Sequence, residues 1–252
     1  MSQRPIKISL ITATWNCAET ISDCLDSVSS QTYRPVEHIV IDGGSKDSTL
    51  EVLRARRDQI STLVSEKDRG IYDALNKGIS KATGDVIGFL HADDLFADST
   101  VLEKVAAAFE DSSVCAVYGD LQYVKKSDPS RVVRYWRSRA FSSKLLKWGW
   151  MPPHPTLYVR REWYQRIGGF DIGYKISADY YSILQLFSIP GFSATYLPFV
   201  FTKMRLGGAS NKSIKNVLLK SREDLNALVR SGVGGVGTLF CKNISKIGQF
   251  LN

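Results

Sequence analysis

Short apolar runs alternate with helical patterns along the first 120 residues of the chain. The apolar runs, rich in β-branched residues, predict strands at residues 6–12, 38–41, 62–65 and 86–90. Between them, apolar positions recur every three or four residues, which predicts helices at residues 21–28, 48–57, 71–81 and 99–110. This βαβ repetition predicts an α/β fold in which a mostly parallel, Rossmann-like sheet carries helices on both faces.

The pattern becomes less regular after residue 125. Residues 115–124 predict one more strand, and Pro152, Pro153 and Pro155 form a turn before a short extended run at 156–159. The remaining predicted elements are a helix at residues 179–186, an extended stretch at 194–203 and a helix at 214–230.

Polar segments follow each of the first four predicted strands, at residues 12–16, 42–47, 66–70 and 91–94. In a doubly wound sheet, the carboxyl ends of the parallel strands meet at one crevice, and ligands bind there. The sequence therefore predicts that these four segments line a single site.

The fourth of these segments contains an acidic doublet, Asp93-Asp94. Carboxylate oxygens are the ligands that Mg²⁺ and Mn²⁺ prefer, and these ions also bind substrate phosphates. Alternatively, one of the two residues caps the next helix, as Asp commonly does. Asp42, at the end of the second strand, is suited to accept a hydrogen bond from a nucleotide base.

The net charge of +8 is divided unequally along the 252 residues. Residues 1–124 contain 12 Lys or Arg against 19 Asp or Glu, whereas residues 125–252 contain 21 against 6. The acidic half can hold a cation, and the basic half can face phosphates, an anionic membrane or nucleic acid. Since no apolar run approaches the roughly 20 residues of a membrane span and the four cysteines form no CxxC pair, a cytoplasmic protein is expected.

A series of different short motifs is spread over most of the chain. In the first half they are TATWN (12–16) followed by Glu19, IDGGSKD (41–47), DRGIYDALNKG (68–78), GD (84–85) and FLHADD (89–94). In the second half they are PPHPTLYVRR (152–161), GGFD (168–171) and KISADY (175–180). This ordered set, over roughly residues 6–210, resembles the family 2 glycosyltransferases of GT-A fold that assemble bacterial surface polysaccharides such as O-antigens and exopolysaccharides.

The resemblance implies an inverting hexosyltransferase that moves a sugar from a nucleotide-sugar donor, expected to be a UDP-sugar, to an acceptor hydroxyl. It implies Asp179 as the general base, and Asp93 with Asp94 as ligands of Mn²⁺ or Mg²⁺ on the donor diphosphate. The residues expected to contact the nucleotide sugar are Thr12, Thr14, Asn16, Glu19, Asp42, Asp68, Arg69, Asn76, Lys77, Asp93 and Asp94.

Two positions depart from the usual pattern of that family. His91 stands where the motif more often has Asp or Asn, and Tyr181 stands where a second Asp is frequent. His154 and Arg205 are further candidates to contact the diphosphate, although a single His or Arg is more often structural.

The chain is expected to comprise a glycosyltransferase domain at residues 1–210 and a helical extension at 211–252. Within the domain, residues 1–124 would bind the nucleotide sugar and residues 125–210 the acceptor. In the extension, one helical face, formed by Phe240, Ile244, Ile247 and Leu251, either contacts a membrane or packs on the domain or on a second subunit, so a homo-oligomer also fits. A G-x-G-x-x-G match at 232–237 follows a helix and not a strand, which indicates a hinge.

The basic segment at residues 125–147 is interleaved with aromatic residues. It favours an edge that faces the inner surface of the cytoplasmic membrane and meets a lipid-diphosphate-linked saccharide acceptor; nucleic acid is not expected as a partner. The alternative to a transferase is a non-catalytic nucleic-acid- or lipid-binding protein on the same fold.

Overall fold

A nine-stranded mixed sheet forms the centre of the computed structural model, which describes residues 4–207 and 214–245. The strands are β1 (Ile8–Thr14), β2 (Val36–Asp42), β3 (Thr62–Ser65), β4 (Val86–Phe89), β5 (Leu95–Phe96), β6 (Ala116–Lys125), β7 (Asp128–Trp136), β8 (Tyr158–Arg160) and β9 (Ala194–Arg205). The α-helices are α1 (Ile21–Ser29), α2 (Thr49–Ala55), α3 (Ile71–Lys81), α4 (Val101–Ala108), α5 (Ser143–Lys147), α6 (Arg161–Ile167), α7 (Ala178–Ser188), α8 (Ile214–Arg230) and α9 (Val236–Ser245).

The first four long strands are parallel, as the βαβ pattern predicted. The sheet order is β3-β2-β1-β4-β8-β6-β9-β5, with β7 paired to β6. β8 runs antiparallel to both β4 and β6, whereas β9 runs parallel to β6. The carboxyl ends of β1, β2 and β3 are in register, because Thr14 pairs with Asp42 and Asp42 with Ser65. Three of the predicted polar segments therefore begin side by side.

Two hydrophobic clusters cover the two faces of the sheet. On one face, Ile11 and Phe89 pack against α3 and α7. On the other, Leu10 and Val40 pack against helices that include α1 and α4. α3 approaches the sheet so closely that a Cβ at Gly78 would lie 2.4 Å from Cγ2 of Ile11. That close contact fixes the start of α3 relative to the strand ends.

The sequence pattern missed β7 and the short helices α5 and α6. β7 is a solvated strand that pairs only with β6, and most of its residues are exposed or half-buried. An exposed strand has no buried face, so its side chains lack the apolar alternation by which strands are recognised. The first strand was also predicted two residues too early, at 6–12 instead of Ile8–Thr14, and this shift changes the interpretation of Thr12.

The described part of the predicted C-terminal extension shares a core with the rest of the chain. Ala227 and Leu228 of α8 are fully buried in the cluster that contains α7. Asp224 and Lys242 form an ion pair at 2.8 Å, with both side chains about 3% exposed. On the predicted amphipathic face, Phe240 and Ile244 are 65% and 49% exposed, while Ile247 and Leu251 lie outside the described residues.

The glycine-rich segment at 232–237 connects α8 to α9. The segment does not join a strand to a helix, so the G-x-G-x-x-G match is not a dinucleotide-binding turn. That the segment acts as a hinge stays a prediction. Among the described residues, no helix is both long and apolar enough to cross a membrane.

Candidate active site

The ends of β2 and β3 are joined by the buried carboxylate of Asp42. It accepts hydrogen bonds from the Ser65 hydroxyl at 2.6 Å and from the backbone amide and the hydroxyl of Ser45. Asp42 is fully buried, so its oxygens hold the β2–α2 turn at the crevice. A nucleotide base would have to share these oxygens with the two serines.

Thr12 and Thr14 occupy different environments, although both were predicted to contact the nucleotide sugar. Thr12 is fully buried in mid-strand, and its Oγ1 lies 2.9 Å from Nε2 of His38. The prediction for Thr12 therefore does not fit the structure, because its hydroxyl already has a partner inside the sheet. The Thr14 hydroxyl lies at the strand end and has no hydrogen-bond partner among the described residues, so it is the better candidate.

Asn16 ties two of the crevice loops together. Its backbone has φ +52°, a left-handed conformation that Asn tolerates better than most residues. Its backbone amide donates to the Ser45 hydroxyl at 2.9 Å, and its side-chain Oδ1 accepts from the backbone amide of Lys46 at 2.8 Å. Glu19, on the same loop, is exposed and pairs with Lys126 at 2.8 Å.

Asp68 lies against the Asp42 turn. A Cβ at Gly43 would lie 2.3 Å from Oδ2 of Asp68, so a larger residue at position 43 would require the Asp68 side chain to move. Asp68 also accepts the amide of Gly70 at 2.9 Å, directly before α3. Two carboxylates from neighbouring turns, Asp42 and Asp68, thus lie within one small region of the crevice.

Arg69 and Lys77 are both paired within the acidic surroundings of α3. Arg69 lies 3.1 Å from Asp73 and its side chain is 73% exposed. Lys77 lies 2.8 Å from Glu66. Exposed ion pairs of this kind are weak, at about 0–1 kcal/mol, so Arg69 can exchange Asp73 for a stronger anion.

Both polar atoms of the Asn76 side chain bind the backbone of one residue, Phe170. Its Nδ2 donates to the Phe170 carbonyl and its Oδ1 accepts the Phe170 amide, each at 2.8 Å. The predicted contact of Asn76 with the donor does not fit this arrangement. Instead, Asn76 fixes the 168–171 loop to α3.

The acidic doublet is split between two environments. Asp93 is half-buried, and no hydrogen bond reaches its carboxylate from the described residues. Asp94 is 1% exposed and accepts the amide of Arg205 at 3.3 Å. Burial, and then the neighbouring Asp93 charge, raise the pKa of Asp94 well above its usual range. Asp93 thus fits the predicted metal-ligand role, whereas Asp94 is buried in the turn beneath it.

Arg205 is committed to holding this turn. Its guanidinium donates to the carbonyls of Asp93 and Lys126, each at 3.2 Å, and to the Asp23 carboxylate. All three guanidinium nitrogens have partners, and the residue is 3% exposed. These three contacts give Arg205 a structural role, and its predicted contact with a diphosphate stays a prediction.

Asp179 lies in the first turn of α7, within electrostatic reach of two buried histidines, His91 and His154. Burial lowers the pKa of His91, and the charges of Asp93 and Asp179 both oppose that shift. The rings of His91 and His154 are stacked with centroids 6.4 Å apart. Asp93 and Asp179 therefore lie within electrostatic reach of the same imidazole, although 86 positions separate them along the chain.

His154 is a buried ring in this cluster. It stacks on Phe89 at 5.2 Å, and burial lowers its pKa to about 4. The ring is therefore neutral near pH 7 and offers no cationic charge to a diphosphate. The Nε2 atom of His154 has no hydrogen-bond partner among the described residues, so the diphosphate contact of His154 stays a prediction.

The first two thirds of the chain identify its family. The family model for glycosyl transferase family 2 matches residues 9–171. The chain belongs to glycosyltransferase family 2. A similar protein, the PGL/p-HBAD biosynthesis glycosyltransferase of Mycobacterium bovis, is 31% identical to this glycosyltransferase over 217 residues, which cover 84% of this chain and 82% of that protein.

Solved structures establish the fold of this glycosyltransferase. The mannosyltransferase PcManGT from Pyrobaculum calidifontis, in complex with GDP-Man and Mn²⁺, has a TM-score of 0.66 at 24% identity, covering 96% of this chain and 70% of that chain. Staphylococcus aureus TarS 1–349 in complex with UDP has a TM-score of 0.65 at 16% identity, covering 89% and 66%. The predicted GT-A fold is confirmed.

Two groups near Asp179 received no catalytic role in the sequence reasoning, although His91 was noted there as a departure from the family motif. The Tyr72 hydroxyl lies 3.1 Å from Oδ1 of Asp179 and 2.5 Å from the carbonyl of Ile176. Burial and the Asp179 charge raise the pKa of Tyr72, so its hydroxyl stays protonated and can donate. The second group is His91, whose buried Nδ1 has no hydrogen-bond partner in the described part of the chain. Tyr72 lies inside the DRGIYDALNKG motif, but its partner is 107 residues away and no local signal indicates it.

Proposed function

We propose that this family 2 glycosyltransferase moves a sugar from a nucleotide-sugar donor to the hydroxyl of a saccharide acceptor, with inversion at the anomeric carbon. The observation that carries the proposal is that Asp93 and Asp179 both lie within electrostatic reach of the buried His91 ring. One carboxylate to hold the cation and a second to take the acceptor proton are the two acidic groups that a metal-dependent single displacement uses.

Asp179 acts as the general base. As the acceptor oxygen attacks the anomeric carbon, its proton passes to the Asp179 carboxylate, and the bond to the nucleoside diphosphate breaks. The Tyr72 hydroxyl lies 3.1 Å from Oδ1 of Asp179 and 2.5 Å from the Ile176 carbonyl, so these two acceptors share its single proton. One attack from the face opposite the leaving group inverts the anomeric centre, in contrast to a covalent glycosyl-enzyme route.

Asp93 fits a divalent cation, Mn²⁺ or Mg²⁺. Within the described residues no hydrogen bond reaches its carboxylate, and the buried Nδ1 of the nearby His91 also has no partner there. Among the described residues, no set of three or more His, Cys, Asp or Glu side chains forms a complete metal site, so diphosphate oxygens must supply further ligands, as is common for Mg²⁺. When bound, the ion supplies Lewis-acid stabilisation of the leaving diphosphate.

The donor nucleotide would lie across the ends of β1, β2 and β3. Thr14, Asp42 and Asp68 are the polar groups there, and a UDP-sugar is the donor that we propose. In support, TarS has been solved with UDP-GlcNAc, although the GDP-Man complex of PcManGT shows that a similar fold also takes a guanine nucleotide.

Calorimetry with UDP, with and without Mn²⁺, tests the donor site. We expect UDP to bind and its affinity to rise when Mn²⁺ is present, because the cation neutralises the diphosphate beside Asp93. GDP is the matched comparison for base preference. Salt-sensitive binding of an oligonucleotide without any metal-dependent nucleotide binding would contradict the proposal and would favour a non-catalytic binding protein.

The acceptor that we propose is a lipid-diphosphate-linked saccharide used in surface-polysaccharide assembly, such as O-antigen or exopolysaccharide. Exposed apolar side chains on α8 and α9 are interspersed with exposed basic ones, a composition typical of contact with an anionic membrane. The apolar ones are Val217, Leu218, Val229, Val236, Phe240 and Ile244. Lys215, Arg222 and Arg230 are the basic ones.

Vesicle sedimentation tests the membrane contact. We expect the protein to bind vesicles that contain anionic lipid, with an affinity that falls as salt increases, because surface charges are screened. Phe240→Ser should weaken binding about tenfold, since burying an aromatic side chain contributes about 1.5–3 kcal/mol. Vesicles of zwitterionic lipid are the control. Equal binding to both vesicle types at all salt concentrations would contradict an electrostatic membrane contact.

A further inference from the structure

The turn that precedes the proposed base is held by a residue from the C-terminal helices. Oε1 of Glu223 in α8 accepts the backbone amide of Lys175 at 3.0 Å, and Oε2 accepts the amides of Ile176 and Ser177 at 2.8 and 3.0 Å. Glu223 is 9% exposed. Three hydrogen bonds to one ionised, largely buried carboxylate are charge-assisted and stronger than bonds between neutral groups.

Glu223 also compensates for a missing cap on α7. Ser177 is the residue before α7, but its side chain makes no capping hydrogen bond, and its buried hydroxyl lacks a partner among the described residues. A helix N-terminus presents unpaired amides and favours a negative charge nearby. Glu223 supplies that charge from a distant part of the chain, and Asp179 lies two residues beyond the last amide it binds.

The opposite side of the same turn is held by α3. The Tyr72 hydroxyl lies within hydrogen-bond distance of both the Ile176 carbonyl and the Asp179 carboxylate. The backbone of Ile176 is therefore held at its amide by Glu223, while its carbonyl and the Asp179 carboxylate share the Tyr72 hydroxyl as donor. This arrangement leaves the backbone before Asp179 little freedom to shift.

α8 is itself anchored next to this turn. The Tyr174 hydroxyl lies 2.6 Å from Oδ1 of Asn226, and Arg230 pairs with Asp171 at 2.8 Å. The Lys242 ammonium pairs with Asp224 and lies 3.0 Å from the centre of the Tyr180 ring. Tyr180 is the residue that follows Asp179. Each of these contacts joins the C-terminal helices to residues 171–180.

We propose that Glu223 is a positioning residue that holds Asp179 at the distance and angle needed to remove the acceptor proton. The inference rests on the proposed function, in which Asp179 is the general base. It assigns α8, which sequence reasoning placed in an extension, to the catalytic apparatus. A displacement of about 1 Å in a reacting group can lower the rate about 10²-fold, so the three hydrogen bonds of Glu223 bear directly on kcat.

Glu223→Gln in the full-length chain tests this role. The amide keeps one acceptor oxygen and replaces the other with a donor group that opposes the backbone amides. We expect kcat to fall about 10- to 100-fold, while calorimetry shows UDP affinity changed by less than about twofold, because the amides that Glu223 binds are not among the groups proposed to hold the donor. Glu223→Asp, which keeps the charge but is one methylene shorter, should retain more activity than Glu223→Gln.

A double-mutant cycle separates positioning of Asp179 from general loss of structure. In an Asp179→Asn background, Glu223→Gln should lower kcat by less than about twofold, because there is no base left to misplace. The control is Glu162→Gln, the same chemical change at an exposed first-turn position of α6, which should leave kcat unchanged.

The outcomes are distinguishable. If Glu223→Gln keeps the wild-type kcat while Asp179→Asn is impaired, this inference is overturned and the proposed function stands. An equal loss from Glu223→Gln in both backgrounds also overturns it. If Asp179→Asn itself reacts at the wild-type rate, the proposed base assignment fails, and with it the reason for a positioning role.

Discussion

Asp179→Asn is expected to lower kcat by about 10²–10⁴-fold while leaving nucleotide affinity nearly unchanged. The amide preserves the shape of the side chain and can still contact the Tyr72 hydroxyl, which lies 3.1 Å from Oδ1. It cannot take a proton from the acceptor. Steady-state kinetics with an active donor and acceptor pair, together with UDP calorimetry, would measure both quantities.

The competing interpretation of Asp179 is a helix cap, whose loss would cost about 1 kcal/mol of stability and little activity. The structure does not favour it, because no backbone amide among the described residues donates to the Asp179 carboxylate, which lies against the Tyr72 hydroxyl. Asp111→Asn, the same change at an exposed turn, is the control and should react normally. A wild-type rate for Asp179→Asn would show that the base lies elsewhere.

Asp93→Ala is expected to abolish transfer, with a loss of at least about 10³-fold, because a cation beside the diphosphate contributes several kcal/mol to transition-state stabilisation. The fold should persist, since no hydrogen bond reaches the Asp93 carboxylate within the described residues and its backbone carbonyl still accepts from Arg205. The measurements are the transfer rate, the thermal midpoint and the effect of Mn²⁺ on UDP binding.

Asp98→Ala provides the control for Asp93→Ala. Asp98 is exposed, and its carboxylate contacts the Thr100 amide and hydroxyl and the Lys104 ammonium at 3.6 Å, so this variant should keep both transfer and the metal response. Asp93→Ala should instead lose the stimulation of UDP binding by Mn²⁺. Retained activity with full metal dependence in Asp93→Ala would remove Asp93 from the metal site.

Local patterning determined the parallel half of the fold and the place of the site. β-branched runs and helical periodicity predicted β1 to β4 and the helices between them, because burial on one or both faces imposes those periods on the sequence. Strand ends carrying Asp42, Asp68 and Asp93 were predicted to line one crevice, and the parallel pairing brings them there. The motif order predicted the family, which the family model confirms.

Only the tertiary structure decided which of these polar groups are free to act. Thr12, Asn76 and Arg205 have the residue types that a ligand site uses, but His38, Phe170 and Asp23 satisfy them from other elements. Hydrogen-bond partners that lie tens of residues away leave no periodic signal near the residue they occupy. A residue type therefore predicts the chemistry available at a position, but not whether that chemistry is already used.

The same reason explains why α8 was assigned to an extension. Its sequence predicts an amphipathic helix of the correct length, Ile214–Arg230, and nothing in that pattern says what the polar face contacts. The contact of Glu223 with the turn before Asp179 spans 46 residues or more. Sequence alone determined that this helix forms; the packing of α8 on α7 decided that its glutamate lies against the proposed base.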